Sequence, residues 1–249
     1  FNYINVDAWV DDFERFVTGT VRDRPARPPT GRPTITTLGR FSVMVDDEEV
    51  DPAVWGSHKA RLILMRLVAA RGWPVTRDVL FEMLWPEESD RRKLGARLSV
   101  QLSAVRRVLG GGVIADRQTV ALDLAQVTTD VEEILDTTDP EAIVAAYTGE
   151  FLPAEVDDDW SGGIRDELRS RFVAAASTII ERSLGSGTAE QAVGLARRVV
   201  ESDRYDSAAH EQLVAVLAAA GQEAEARRAH AEYARLMAEL GIDVSSYGA

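Results

Sequence analysis

Over the first seventeen positions, apolar residues recur mostly three or four apart. Ile4, Trp9, Val10, Phe13, Phe16 and Val17 predict an amphipathic helix over 4–17 with an aromatic face. That face needs a partner, either the rest of this chain or an upstream domain of which it is the tail. TGTVRDRPARPPTGRP follows, and its four prolines read as a stiff, polar linker over 18–33. Alternation then takes over. Residues 34–41 and 42–45 predict two short strands, and Asp46-Asp47-Glu48-Glu49 the turn before a third at Val50. Leu62, Ile63, Met65, Leu67 and Val68 line a helix over 59–71, stopped by Gly72 and Pro74. Thr76 caps a second helix ending at Leu84, and a third runs to Leu109 before Gly110-Gly111-Gly112. Residues 113–114 and 119–122 form a hairpin around Asp116-Arg117-Gln118.

Beyond Gln126 the pattern is helical: short helices over 130–135 and 140–147, then longer ones over 164–184, 188–201, 207–220 and 222–240. A shift of 34 residues superposes Gly187 on Gly221, Ala192 on Ala226, Leu195 on Ala229 and Val199 on Tyr233. That period, with small residues at helix contacts, is a tetratricopeptide (TPR) signature, here covering two repeats. The expected fold class is mainly α with a small β component. A winged helix-turn-helix over 34–122 precedes a TPR-like all-α repeat domain over 127–245.

Composition changes this picture through charge. The 249 residues carry 28 Lys+Arg against 41 Asp+Glu, a net charge of −13, which taken whole argues against nucleic acid as a partner. Divided along the chain, the net is −4 over 1–58, +6 over 59–117 and −15 over 118–249. The basic block coincides with the predicted winged helix. The sequence has no cysteine, which excludes disulfides and thiolate chemistry and fits a reducing, cytoplasmic setting. No apolar run reaches the ~20 residues of a membrane span, so no membrane partner is expected.

The third predicted helix carries the candidate chemistry. At about 100° per residue, Leu94, Leu98, Leu102, Val105 and Leu109 share one line and must face the core. The opposite face presents Lys93, Ala96, Val100, Ser103, Ala104 and Arg107, bordered by Arg92, Arg97 and Ser99. From Arg91 to Arg107 there are six basic residues and no acidic one. A helix apolar behind, and basic with short side chains in front, fits a major groove about 12 Å wide. Its cations would neutralise phosphates while its small residues admit the base edges. Thr76 and Arg77, opening the preceding helix, are expected to clamp a phosphate with free amide groups and a guanidinium. Arg117 occupies the tip of a wing.

Residues 34–122 resemble the OmpR-type winged helix, and 127–245 resemble the bacterial transcriptional activator domain (BTAD). Together they resemble the Streptomyces antibiotic regulatory protein (SARP) class. The motifs are LGRFSVMVDD, HKARLILMRLV, PVTRDVLFEMLWPEE and ARLSVQLSAVRRVLG, then DVEE, YTGEFLP, DDDW and YARLMAELGI. The resemblance implies an activator that binds direct repeats of double-stranded DNA near promoters, contacts RNA polymerase and works as a homodimer. Two departures stand out. The family usually has Arg where this chain has Ser99 and Ala104, and the wing lacks a Gly-Tyr pair. Both imply weaker or differently specific DNA binding.

Other residues read as structural. Glu155 with Asp157-Asp158-Asp159 lacks the glycine-turned calcium pattern and reads as an acidic turn before a helix. His58, His210 and His230 are scattered, and the triple glycine lacks the Lys-Ser/Thr of a phosphate loop. No catalytic residue, metal or cofactor is expected, and an enzyme is disfavoured. The competing expectation is a protein-interaction adaptor that uses the TPR-like domain and a winged helix of little DNA affinity.

Overall fold

The computed structural model describes residues 31–155, 159–244 and 246–247; the predicted helix over 4–17 and most of the predicted linker lie outside the described residues. Alternation builds the first sheet: β1 (Thr34–Thr36) and β2 (Ser42–Val45) pair antiparallel with Ile35 opposite Val43, and both side chains are buried. The third strand, β3, is Glu48–Glu49 rather than Val50, because Asp46 and Asp47 take the left-handed conformation of a two-residue hairpin turn. Val50 still donates its amide to the Val43 carbonyl.

Helix α1 (His58–Ala69) is N-capped by Ser57, and α2 (Arg77–Leu84) by Thr76 as the sequence predicts. Helix α3 (Arg91–Leu109) crosses α1 and buries Leu94, Leu98, Leu102, Val105 and Leu109 against it. Strand β4 (Val75–Thr76) joins the hairpin of β5 (Val113–Ala115) and β6 (Thr119–Leu122) in a second sheet ordered β4-β6-β5. Helices and sheets together make the winged helix.

The first sheet has a fourth strand that sequence patterning does not reveal. Strand β7 (Thr128–Thr129) lies parallel to β1, Thr34 beside Thr128 and Ile35 beside Thr129, giving the order β3-β2-β1-β7. It leads directly into α4 (Asp130–Leu135), N-capped by Thr129. The buried Asp130 carboxylate accepts the amides of Thr37 (2.6 Å) and Leu38 (2.7 Å) and the Thr37 hydroxyl (2.7 Å). After α5 (Pro140–Ala146) the chain returns to the same loop. Gly39 donates to the Glu150 carbonyl, Leu152 donates to the Thr37 carbonyl, and Leu38 bridges Phe151. The two backbones meet so closely that a Cβ on Gly149 would stand 2.8 Å from Gly39 Cα, while Gly39 itself sits at φ +73°. The LGRF and YTGEFLP motifs are thus two sides of one seam. Trp160, from DDDW, adds to it by lying 5.9 Å beneath the guanidinium of Arg66 on α1.

The remaining four helices, α6 (Gly162–Ser186), α7 (Ala189–Ser202), α8 (Ser207–Ala219) and α9 (Glu223–Glu239), pack each on the next. The 34-residue shift has a structural counterpart. Ala192 and Ala226 are both buried, Val199 and Tyr233 occupy equivalent buried places, and Gly187 and Gly221 precede their helices at φ +74° and +73°. The fold is mainly α with small sheets, and no described helix is long and apolar enough to cross a membrane.

Candidate nucleic-acid interface

Asp90 opens α3. Its carboxylate accepts the amides of Arg92 (2.9 Å) and Lys93 (3.3 Å), and these backbone bonds hold its pKa below the usual carboxylate range. Ala96, Arg97, Ser99, Val100, Ser103 and Arg107 are all exposed along the helix, as the wheel predicts, and so are Arg91, Arg92 and Lys93.

Ala104 is different. It is 7% exposed, so its assignment to the open face is corrected. The wheel assumed one packing seam, but α3 also packs against the turn Pro52–Trp55 and against β5. Two further neighbours widen the buried arc to include Ala104 and Val108.

Half of the basic residues of α3 carry a counter-ion from the preceding segment. Arg91 makes a two-pronged pair with Asp78 (2.6 and 3.2 Å), which raises the pKa of its guanidinium. Arg97 stands 3.6 Å from Glu88, and Lys93 4.0 Å from Asp90. Arg92, Arg106 and Arg107 have no ion-pair partner among the described residues. Arg106 was missed by the sequence reasoning because the wheel sets it beside the core face. It is exposed, and its place next to Arg107 in the last turn was the available signal.

Part of the clamp expected at Thr76 and Arg77 is already engaged within the fold. The Arg77 amide donates to the Gln118 carbonyl (2.8 Å) and its Nε to the Asp116 carbonyl (3.0 Å), while Thr76 Oγ1 accepts the Val79 amide (3.4 Å). The Arg77 amide is engaged because β4 and the wing are neighbours in one sheet. What Arg77 does is brace the wing. At the wing's tip Asp116 accepts the amides of Gln118 and Thr119 (both 2.7 Å) and the Thr119 hydroxyl (3.1 Å), and these bonds hold its pKa down. Arg117 projects from this tight turn, exposed and without an ion-pair partner among the described residues.

Away from this face, an open groove of about 730 Å³ lies among α5, α6 and α7, lined by Val144, Tyr147, Ile179, Leu195 and Arg198. Arg198 is fixed there by the carbonyls of Val144 (3.2 Å) and Tyr147 (2.5 Å). Among the described residues no cluster of three or more His, Asp or Glu side chains is arranged to hold a metal ion.

Comparison with known proteins agrees with this architecture. Residues 128–247 match the family described as "Bacterial transcriptional activator domain". No curated protein sequence matches the chain. Among solved structures, Mycobacterium tuberculosis EmbR in complex with a low affinity phosphopeptide superposes with a TM-score of 0.66 at 21% identity, over 86% of this chain and 62% of that one. The present chain thus spans less than two thirds of the length of EmbR, and at this identity the likeness concerns the fold. The SARP-type resemblance carried by the sequence motifs is thus joined by a family match over residues 128–247, slightly under half of the chain, and by a fold like that of EmbR.

Proposed function

We propose that the chain is a sequence-specific, double-stranded DNA-binding transcription activator of the cytoplasm. In this reading α3 enters the major groove, and a homodimer binds repeated half-sites and contacts RNA polymerase. The observation that carries the reading is the exposed face of α3: short side chains at Ala96, Ser99, Val100 and Ser103, flanked by Arg92 and Arg107, which have no ion-pair partner among the described residues. The surrounding acids set its strength. Asp78, Glu88 and Asp90 already neutralise Arg91, Arg97 and Lys93, and displacing them costs part of what a phosphate contact would return. Thr76 and Arg77 contribute by holding the wing, and Arg117 contributes a phosphate contact from its tip.

The test is a salt titration of duplex binding by the whole chain. A log–log slope of about −3 to −5 per protomer bound is expected, corresponding to roughly four or five neutralised phosphates each. The double substitution Arg97→Ala with Arg107→Ala should weaken binding about tenfold or more and flatten the slope by about 2. A slope near zero, or unchanged binding by the double variant, overturns the reading.

The internally paired cations and the groove fixed by Arg198 favour a second reading, an adaptor that binds a protein partner through the helical repeat. That reading gains if promoter binding is indifferent to the double substitution while partner binding persists.

A further inference from the structure

We infer that Val100 reads the 5-methyl group of a thymine, and that the serines beside it act as fixed hydrogen-bond acceptors. This rests on the DNA-binding reading of α3 and gives it a base preference. Val100 is 55% exposed and lies about 160° around the helix from the middle of the leucine seam. Single exposed valines are common on proteins. What distinguishes this one is its surroundings: Ala96 one turn before it and Ser103 one turn after it are exposed and short, and the long exposed side chain beside it, Arg97, stands 3.6 Å from Glu88. An aliphatic tip has no use for a phosphate. The single apolar feature that B-DNA presents in the major groove is the thymine methyl.

The serines narrow the choice further. Ser99 donates its hydroxyl to the Gly95 carbonyl (2.8 Å), and Ser103 donates to the Ser99 carbonyl (2.9 Å). Each hydroxyl proton is spent on the helix backbone, four residues back. With the proton so placed, each exposed oxygen keeps lone pairs with which to accept. Acceptors in the groove match the exocyclic amino groups of adenine N6 and cytosine N4, not the carbonyls of guanine or thymine. The chain therefore prefers a thymine with an adenine or cytosine amino group next to it in the groove.

The experiment uses duplexes selected by the whole chain from a randomised library, with each thymine replaced in turn by deoxyuridine. That replacement removes the methyl and keeps every hydrogen-bonding group. At one thymine per half-site, binding should weaken about fourfold, the worth of one buried methyl. In Val100→Ala the ratio between thymine and uracil duplexes at that position should fall to about one; in Val100→Thr, which keeps a methyl, it should partly return. Melting of each variant checks that the helix is intact. Uracil indifference at every position, or an undiminished ratio in Val100→Ala, overturns the inference while leaving DNA binding in place. If the library yields no duplex with salt-dependent binding, the DNA-binding reading fails, and this inference with it.

Discussion

Asp130→Ala is expected to cost about 3 kcal/mol and to lower the melting midpoint by about 6–12 °C. The loss follows from what the carboxylate holds. It accepts two buried amides and a buried hydroxyl at 2.6–2.7 Å, and alanine offers none of them a partner. A hydroxyl can turn to another acceptor, but the amides of Thr37 and Leu38 are fixed by the backbone and would be left dry and unpaired. Asp130→Asn separates hydrogen bonding from charge. The amide oxygen can take both backbone donors, its NH2 can donate to the Thr37 hydroxyl, and the loss should stay within about 1 kcal/mol. Burial raises the pKa of the Asp130 carboxyl above its ordinary value despite the donors around it. The folded state then binds this proton more tightly than the unfolded chain. The residue's contribution is complete at acidic pH and declines as pH rises through the raised pKa. Both variants should lack that decline. Denaturant melts of the three proteins across the acidic range read both effects, and an alanine variant as stable as the parent would refute the role given to Asp130.

Gly149→Ala should be nearly as damaging, at about 2–3 kcal/mol. The new Cβ would lie 2.8 Å from Gly39 Cα and 3.2 Å from Gly39 N. Both are backbone atoms, so no side chain can swing aside. The strands cannot part without stretching the Gly39 to Glu150 bond or the Leu152 to Thr37 bond. Gly39→Ala, on the opposite side, should cost about 1–2 kcal/mol, mainly for holding alanine at φ +73°. Calorimetry on the two variants gives the order, and a harmless Gly149→Ala would show that the backbones do not meet there.

These residues also mark what a single sequence can disclose. The leucine seam of α3, the Thr76 cap and the 34-residue helical period were legible because each is a local pattern with a fixed physical period. Ala104 was misplaced because a wheel knows the helix but not how many neighbours it has. Arg77 was assigned a phosphate because nothing local shows that the wing folds back onto its amide 41 residues before Gln118. The contacts of Asp130 with Thr37 and Leu38 join residues more than ninety positions apart, and β7 is only two residues long. Such a strand has no period to detect. The ion pairs on the basic residues of α3 were equally hidden, although the acids Glu87, Glu88 and Asp90 stand directly before the cations in the chain.

The fourth strand bears on how this architecture can be taken apart. A fragment cut after the wing, at about residue 122, would keep α3 but remove β7, Asp130 and the Gly149–Leu152 return. It would leave the outer edge of β1 with unpaired amides and carbonyls, an invitation to strand-to-strand aggregation. A fragment extended through Leu152 carries its own edge cover. By the same logic, grafting this winged helix onto another helical repeat would require the recipient to supply a matching strand, carboxylate and glycine. The two halves are exchangeable parts only if the cut is made where the sheet ends, not where the sequence motif does.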